Sequence, residues 1–185
     1  VGLLSKGLKT VAIAGTHGKT TTTAMIIWMI NEILGEPNYI VGDAEDKLKV
    51  LNKNWNVNDS EYFVVEACEY KKQFLARAPQ PYISVITHID LDHTDFYKSQ
   101  QQYNDAFTQF LSNTSEKVVI DPTGKNEAAV VGQLADKEIL DVNKFREQAS
   151  EVESWMKGRH NGENLLREYT VGRALGLDHN KIVKA

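Results

Sequence analysis

Cysteine is almost absent from this sequence, and so are long runs of charge or of apolar residues. Cys68 is the single cysteine, so no internal disulfide framework can form, and a reducing, cytoplasmic setting is expected. Lys and Arg number 21 against 25 Asp and Glu, a net charge of −4 with no basic run. That argues against nucleic acid as a partner. The longest apolar stretch, Ala24 to Ile30, has polar residues at both ends and is too short to cross a bilayer, and no signal peptide is visible. No membrane association is expected.

What remains is an ordinary globular composition. With 42% hydrophobic residues in 185, the chain can build one domain with a full core. It starts at Val1 without a methionine, and residues 1–10 read as a linker. A piece of a longer protein is therefore expected.

The most informative stretch runs from Val11 to Thr23. Val11-Ala12-Ile13-Ala14 has the makings of a short buried strand, Gly15-Thr16-His17-Gly18 breaks it, and a long apolar helix follows from Lys19 to Leu34 before Gly35 stops it. Strand, glycine turn and a helix opening with Gly-Lys-Thr is the form of a phosphate-binding loop. Turn amides and the free N–H groups of the helix start converge on one anion, a lysine adds a point charge, and a hydroxyl ligates Mg²⁺. Gly15, Thr16, His17, Gly18, Lys19, Thr20 and Thr21 are the candidate nucleotide contacts. The general pattern asks for a glycine at position 13, where Ile13 stands. The strict motif thus fails at its first glycine, and an ordinary strand-to-helix turn is the competing reading.

Further apolar runs at 39–41, 62–65, 82–87, 117–120 and 138–142 read as strands, alternating with helical patterns at 69–77, 99–112, 124–135 and 165–175. Residues 42–61 are polar and aperiodic and read as a surface loop. Phe145, Ala149, Val152, Trp155 and Met156 recur at helical spacing as core contacts, and 158–164 reads as a polar turn. This alternation predicts an α/β fold, a largely parallel sheet with helices on both faces.

Two strand ends carry unusual polarity. The run at 62–65 ends in Glu66-Ala67-Cys68-Glu69, a carboxylate where an α/β sheet presents ligands. The run at 82–87 leads into His88-Ile89-Asp90-Leu91-Asp92-His93-Thr94-Asp95, a density of ionisable groups that a cation or a hydrogen-bond network must neutralise. A solvated turn capped by Asp90 and Asp95 is the bland alternative. Side-by-side strands would bring Thr20, Glu66 and His93 together at the phosphate loop. A hydroxyl and a carboxylate suit Mg²⁺, and a histidine marks a second, Mn²⁺-tolerant position. The chemistry reached from these residues is Mg-ATP-dependent phosphoryl transfer, with no acceptor specified.

Four segments in order resemble the motifs of the Mur ligases: Gly15–Thr23, whose family variant also lacks the early glycine; Glu66–Tyr70 with Phe74-Leu75; Thr87–Asp95; and Gly158-Arg159-His160-Asn161 with Asn164. The second is similar to the branch that adds L-alanine to UDP-N-acetylmuramate, in its Gram-positive form. The resemblance implies a P-loop-like central ATP-binding domain spanning 1–185, with the family's uridine-nucleotide-binding and C-terminal ligase domains outside it. It implies an ATP-dependent amide ligase of peptidoglycan precursor synthesis working through an acyl phosphate, with this domain alone inactive. By the same resemblance Lys19, Glu66 and His93 are catalytic, Thr20, Glu66 and His93 bind metal, and His160 and Asn164 face adenine. A modified lysine of sister ligases would fall near Thr108, where none stands.

The sequence departs from the family at His88, where Asn is usual, in the glycine-poor 42–60, and in a 121–157 segment shorter and more helical than expected. A folylpolyglutamate- or cyanophycin-type sister ligase and a non-catalytic nucleotide-binding paralogue are the alternative readings.

Overall fold

The computed structural model describes residues 5–42, 51, 53–78, 80–152 and 158–185, apart from the side chains of residues 76, 77 and 159. Among the described residues seven strands form one sheet: β1 (Lys9–Ala14), β2 (Asn38–Ile40), β3 (Trp55–Asn56), β4 (Tyr62–Glu66), β5 (Ile83–Ile86), β6 (Lys117–Ile120) and β7 (Glu138–Asp141). Their order is β3-β2-β4-β1-β5-β6-β7. All neighbours are parallel except the edge pair β2 and β3. The helices are α1 (Lys19–Leu34), α2 (Gln73–Arg77), α3 (Gln100–Ser112), α4 (Lys125–Val131), α5 (Arg146–Ala149), α6 (Arg159–Ala174) and α7 (His179–Lys184). None of the described helices is long and apolar enough to cross a membrane.

Strand alternation sorts the core into two clusters, one on each face. Val11, Ile13, Val64 and Val85 pack with α1, α6 and α7 through Ile26, Met29, Leu166 and Ile182. Ala12, Ala14, Val65 and Ile86 pack with α2 and α3 through Phe74, Tyr103, Phe107 and Phe110. The small alanines of β1 make room for that aromatic layer, in which Phe74 stacks on Phe110 with centroids 4.7 Å apart. Both faces of β1 are therefore covered, as its unbroken apolar run requires.

Several boundaries differ from the sequence reading. β1 begins at Lys9, inside the stretch read as a linker. The polar loop 42–61 contains β3, held by backbone pairing of Tyr39 with Asn56 and of Ile40 with Trp55. An edge strand needs only one partner and carries no core periodicity. Residues 70–77 form a 3₁₀ turn and then α2, because Lys71 and Lys72 both adopt positive φ and break the helix. α4 stops at Val131, before Gly132. Phe145, Ala149 and Val152 do join the core, but through a short 3₁₀ turn and α5, while Trp155 and Met156 lie outside the described residues. The polar turn 158–164 is instead the first turns of α6.

The turn between β1 and α1 is tightly wedged. Gly15 has φ 133°, and a Cβ there would sit 2.8 Å from the carbonyl oxygen of His88 and closer still to the Thr87 hydroxyl. Gly15→Ala is expected to destabilise the fold by about 2 kcal/mol or more through strain and overpacking, lowering the melting temperature by roughly 4–8 °C. A thermal melt unchanged from wild type would contradict this close packing.

On α6, Glu168 is buried with no hydrogen bond or ion pair among the described residues, and burial pushes its carboxyl up to about 8. The folded state therefore holds a proton that the unfolded state, titrating near 4.5, releases earlier. Stability from this group is intact at low pH and is lost as pH rises through that window. Glu168→Gln is expected to raise the melting temperature at alkaline pH and to change it little below pH ~4.5. Parallel melting-versus-pH curves for the two proteins would refute it.

Candidate functional site

The site lies at the C-terminal ends of β1, β4 and β5, where parallel strands leave their connections to line a crevice. Gly18 caps α1 in the left-handed conformation, φ 82°, without any side-chain cap, and no acidic residue sits in the first turn. The orphan N–H groups of the helix start and the positive end of its dipole are thus left for an anion. Thr20 and Thr21 are partly exposed there, with no side-chain hydrogen bond among the described residues, and His17 is exposed.

Thr16 does a different job. Its N–H donates to the His88 carbonyl at 2.8 Å, and its buried hydroxyl lies 2.7 Å from the Asp90 carbonyl, 3.0 Å from the Asp90 N–H and 3.2 Å from the Tyr103 hydroxyl. These bonds fasten the phosphate turn to the segment after β5. Burial raises the Tyr103 phenol, which stays neutral beside Thr16.

Lys19 folds back over the turn. Its Nζ donates to the carbonyls of Gly15 at 2.5 Å and Thr16 at 3.3 Å, and it lies 3.2 Å from both carboxylate oxygens of Glu69. Glu69 is fully buried, and its backbone carbonyl accepts from the Tyr97 hydroxyl at 2.6 Å. His93, in the left-handed region at φ 51°, stacks against Tyr70 and places Nε2 3.4 Å from Glu69 Oε1. Lys19 and His93 therefore meet on a carboxylate that the sequence reading passed over. The only signal was its place three residues after Glu66 at a strand end.

Glu66 stands beside Ile13 in the β1–β4 register and is nearly buried. One of its oxygens accepts from the Gly42 N–H at 2.9 Å; the other accepts no hydrogen bond among the described residues. The adenine-side candidates separate. His160 is exposed on the first turn of α6. Asn164 is buried against α1, its Oδ1 accepting from the Thr22 hydroxyl at 3.2 Å and lying 2.8 Å from where a Gly18 Cβ would be.

The ionisable segment after β5 is neutralised by a hydrogen-bond network. His88 bridges Glu127 through Nδ1 at 2.8 Å and Asp90 through Nε2 at 3.0 Å. Buried Glu127, in the first turn of α4, also accepts from the Ile89 N–H at 2.8 Å. Asp95 accepts from the Tyr70 hydroxyl, which holds its carboxyl below the usual range. From the other face, buried Arg167 of α6 donates to the Ile86 carbonyl at 3.0 Å and the Thr87 carbonyl at 2.6 Å. Glu127 sits in a helix with no motif around it, and Arg167 lies three residues beyond the Asn164 motif on α6, so neither was singled out from the sequence.

A family profile described as Mur ligase middle domain matches residues 13–139. A UDP-N-acetylmuramate–L-alanine ligase of Clostridium perfringens is 40% identical over 143 residues, covering 77% of this chain and 28% of that protein. The enzyme of the same description from Caldicellulosiruptor saccharolyticus is 32% identical over 212 residues, covering 100% of this chain and 46% of its own length. The chain thus spans less than half the length of these relatives. Among solved structures, a UDP-N-acetylmuramate:L-alanyl-γ-D-glutamyl-meso-diaminopimelate ligase from Neisseria superposes with a TM-score of 0.78 at 16% identity, over 99% of this chain and 68% of that one. A UDP-N-acetylmuramate–alanine ligase from Thermotoga maritima gives 0.73 at 22% identity, over 98% and 45%. These two show the fold alone. With a profile match over more than half of its length, laid on the sheet and the phosphate turn described above, the chain belongs to the Mur ligase family, as its middle domain.

Proposed function

We propose that this chain is the ATP-binding unit of an amide-forming ligase that joins L-alanine to UDP-N-acetylmuramate in peptidoglycan precursor synthesis. The observation that carries the reading is the uncapped, anion-ready start of α1, with Lys19 poised over it on a buried carboxylate. The names of the similar sequences support the choice of carboxylate and amine.

In this reading the turn amides and the α1 start bind the ATP phosphates, and Lys19 swings from the turn carbonyls to the β- and γ-phosphates. The donor set fits Mg²⁺: the Thr20 hydroxyl carries no side-chain hydrogen bond among the described residues, and Glu66 keeps one carboxylate oxygen unengaged. Thr20, Glu66 and His93 would hold Mg²⁺, with Mn²⁺ tolerated at His93, and the bound cation would screen charge on the phosphates. Transfer of the γ-phosphoryl group to the substrate carboxylate gives an acyl phosphate and ADP. Attack by the amino group then gives the amide and inorganic phosphate. The protein's contribution is positioning and fixed charge. Asn164, against Gly18 and Thr22, would transmit contact with the base side of the nucleotide to the turn, and His160, exposed on the first turn of α6, would meet the base. The 185-residue chain by itself is expected to bind nucleotide without turning it over, in the cytoplasm where its substrates are made.

The full-length protein, assayed with ATP, UDP-N-acetylmuramate and a panel of amino acids, should release ADP and phosphate with L-alanine. Release with glutamate-type acceptors instead would point to a sister ligase. In the 185-residue chain, Mg-ATP should raise the melting temperature, and Lys19→Ala should abolish most of that shift; equal shifts in both proteins would defeat the assignment of the phosphate site. Glu66→Ala should weaken Mg-dependent ATP binding more than His93→Ala does, as titration calorimetry would show. Equal and negligible losses would remove both residues from the metal site.

A further inference from the structure

The Lys19–Glu69–His93 cluster holds an imbalance. Glu69 is fully buried, yet its Oε2 accepts no hydrogen bond among the described residues; the charge of Lys19, 3.2 Å away, is what compensates it. The same ammonium is spent on the turn carbonyls of Gly15 and Thr16. A lysine that moves to a phosphate must give up this carboxylate, and a buried carboxylate stripped of its partner is among the costliest losses a protein can suffer. His93 is the remaining neighbour, its Nε2 3.4 Å from Oε1. A buried carboxylate with one oxygen free of hydrogen bonds among the described residues and the other facing an imidazole nitrogen is half of a divalent-cation site. Among the described residues no three His, Cys, Asp or Glu side chains gather as a metal cluster, so this pair needs further oxygens from nucleotide or water.

We propose that Glu69, together with His93, is an exchange site: it holds Lys19 before nucleotide arrives and takes a divalent cation in its place when Lys19 turns to the phosphates. The idea rests on the reading of this turn as a nucleotide site and adds to it a carboxylate distinct from Glu66. Lys19 is the stand-in cation of the nucleotide-free chain. Phosphate binding and cation binding are thereby coupled: each lysine charge withdrawn from Glu69 is replaced by a metal charge, and the buried carboxylate is never left alone. Lys19 also keeps the pair from binding metal prematurely.

The test needs no nucleotide. In the 185-residue chain, Mn²⁺ binding is followed by loss of the free Mn²⁺ resonance signal, with wild type, Lys19→Met and Lys19→Met/Glu69→Gln compared. Lys19→Met, which keeps the length of the side chain and removes its charge, should bind Mn²⁺ roughly tenfold or more tighter than wild type, and the second substitution should cancel the gain. If Lys19→Met melts early because Glu69 is uncompensated, Mn²⁺ should restore its melting temperature; a destabilised variant that Mn²⁺ does not rescue overturns the exchange. So does equal Mn²⁺ binding by wild type and Lys19→Met, or a gain that survives Glu69→Gln. Failure of wild type to bind ATP would instead sink the proposed function, and the metal titrations, run without nucleotide, are read separately from that outcome.

Discussion

No side chain fits between the phosphate turn and the end of β5, and the site depends on that contact. Gly15 lies against the backbone of His88 and the hydroxyl of Thr87, and the Thr16 amide and hydroxyl tie the next residue to His88 and Asp90. The turn is therefore held by the strand beside it rather than by its own sequence. Because β4 pairs with the other side of β1, the same turn faces the carboxylates that follow Val65. Preorganised amides aimed at an anion act most strongly when nothing must rearrange to receive it.

The segment bridging these parts is itself braced from two layers. Glu127 on α4 and Arg167 on α6 bind successive backbone groups, the Ile89 amide from one and the Ile86 and Thr87 carbonyls from the other. Burial pulls the Arg167 guanidinium down from its usual range, and the charges of Glu163, Asp121 and Glu127 oppose that pull. Three carbonyl acceptors, including that of Glu163, keep it satisfied. His88 uses both ring nitrogens on Asp90 and Glu127. Its contribution in this chain is thus to link α4 to the segment after β5.

Glu168 and Glu69 show two ways of burying a carboxylate. Glu168 has no partner among the described residues and is driven toward its neutral form. Glu69 keeps the Lys19 ammonium at 3.2 Å and a ring nitrogen of His93 at 3.4 Å. The difference follows location: Glu168 lies in the packing of α6, while Glu69 closes the floor of the phosphate turn, where a fixed negative charge has something to hold.

The strand runs, the glycine turn and the long first helix were legible because each rests on local rules: unbroken apolar character, positive-φ glycine, an uncapped helix start. Membership of the family was legible from four short motifs, since a phosphate loop and its flanking ligands tolerate few residue types. The edge strand β3, the early start of α6 and the break at Lys71 and Lys72 were not, because each is imposed by neighbours rather than by its own residues. The sequence by itself determined an α/β domain with a glycine turn between its first strand and helix. Only the tertiary structure decided which charges meet there, placing Glu69 under Lys19 and setting Glu127 and Arg167 behind the turn. Coulombic and hydrogen-bond partners are chosen by distance in space, and residues 50, 38 or 80 positions apart carry no local mark of it.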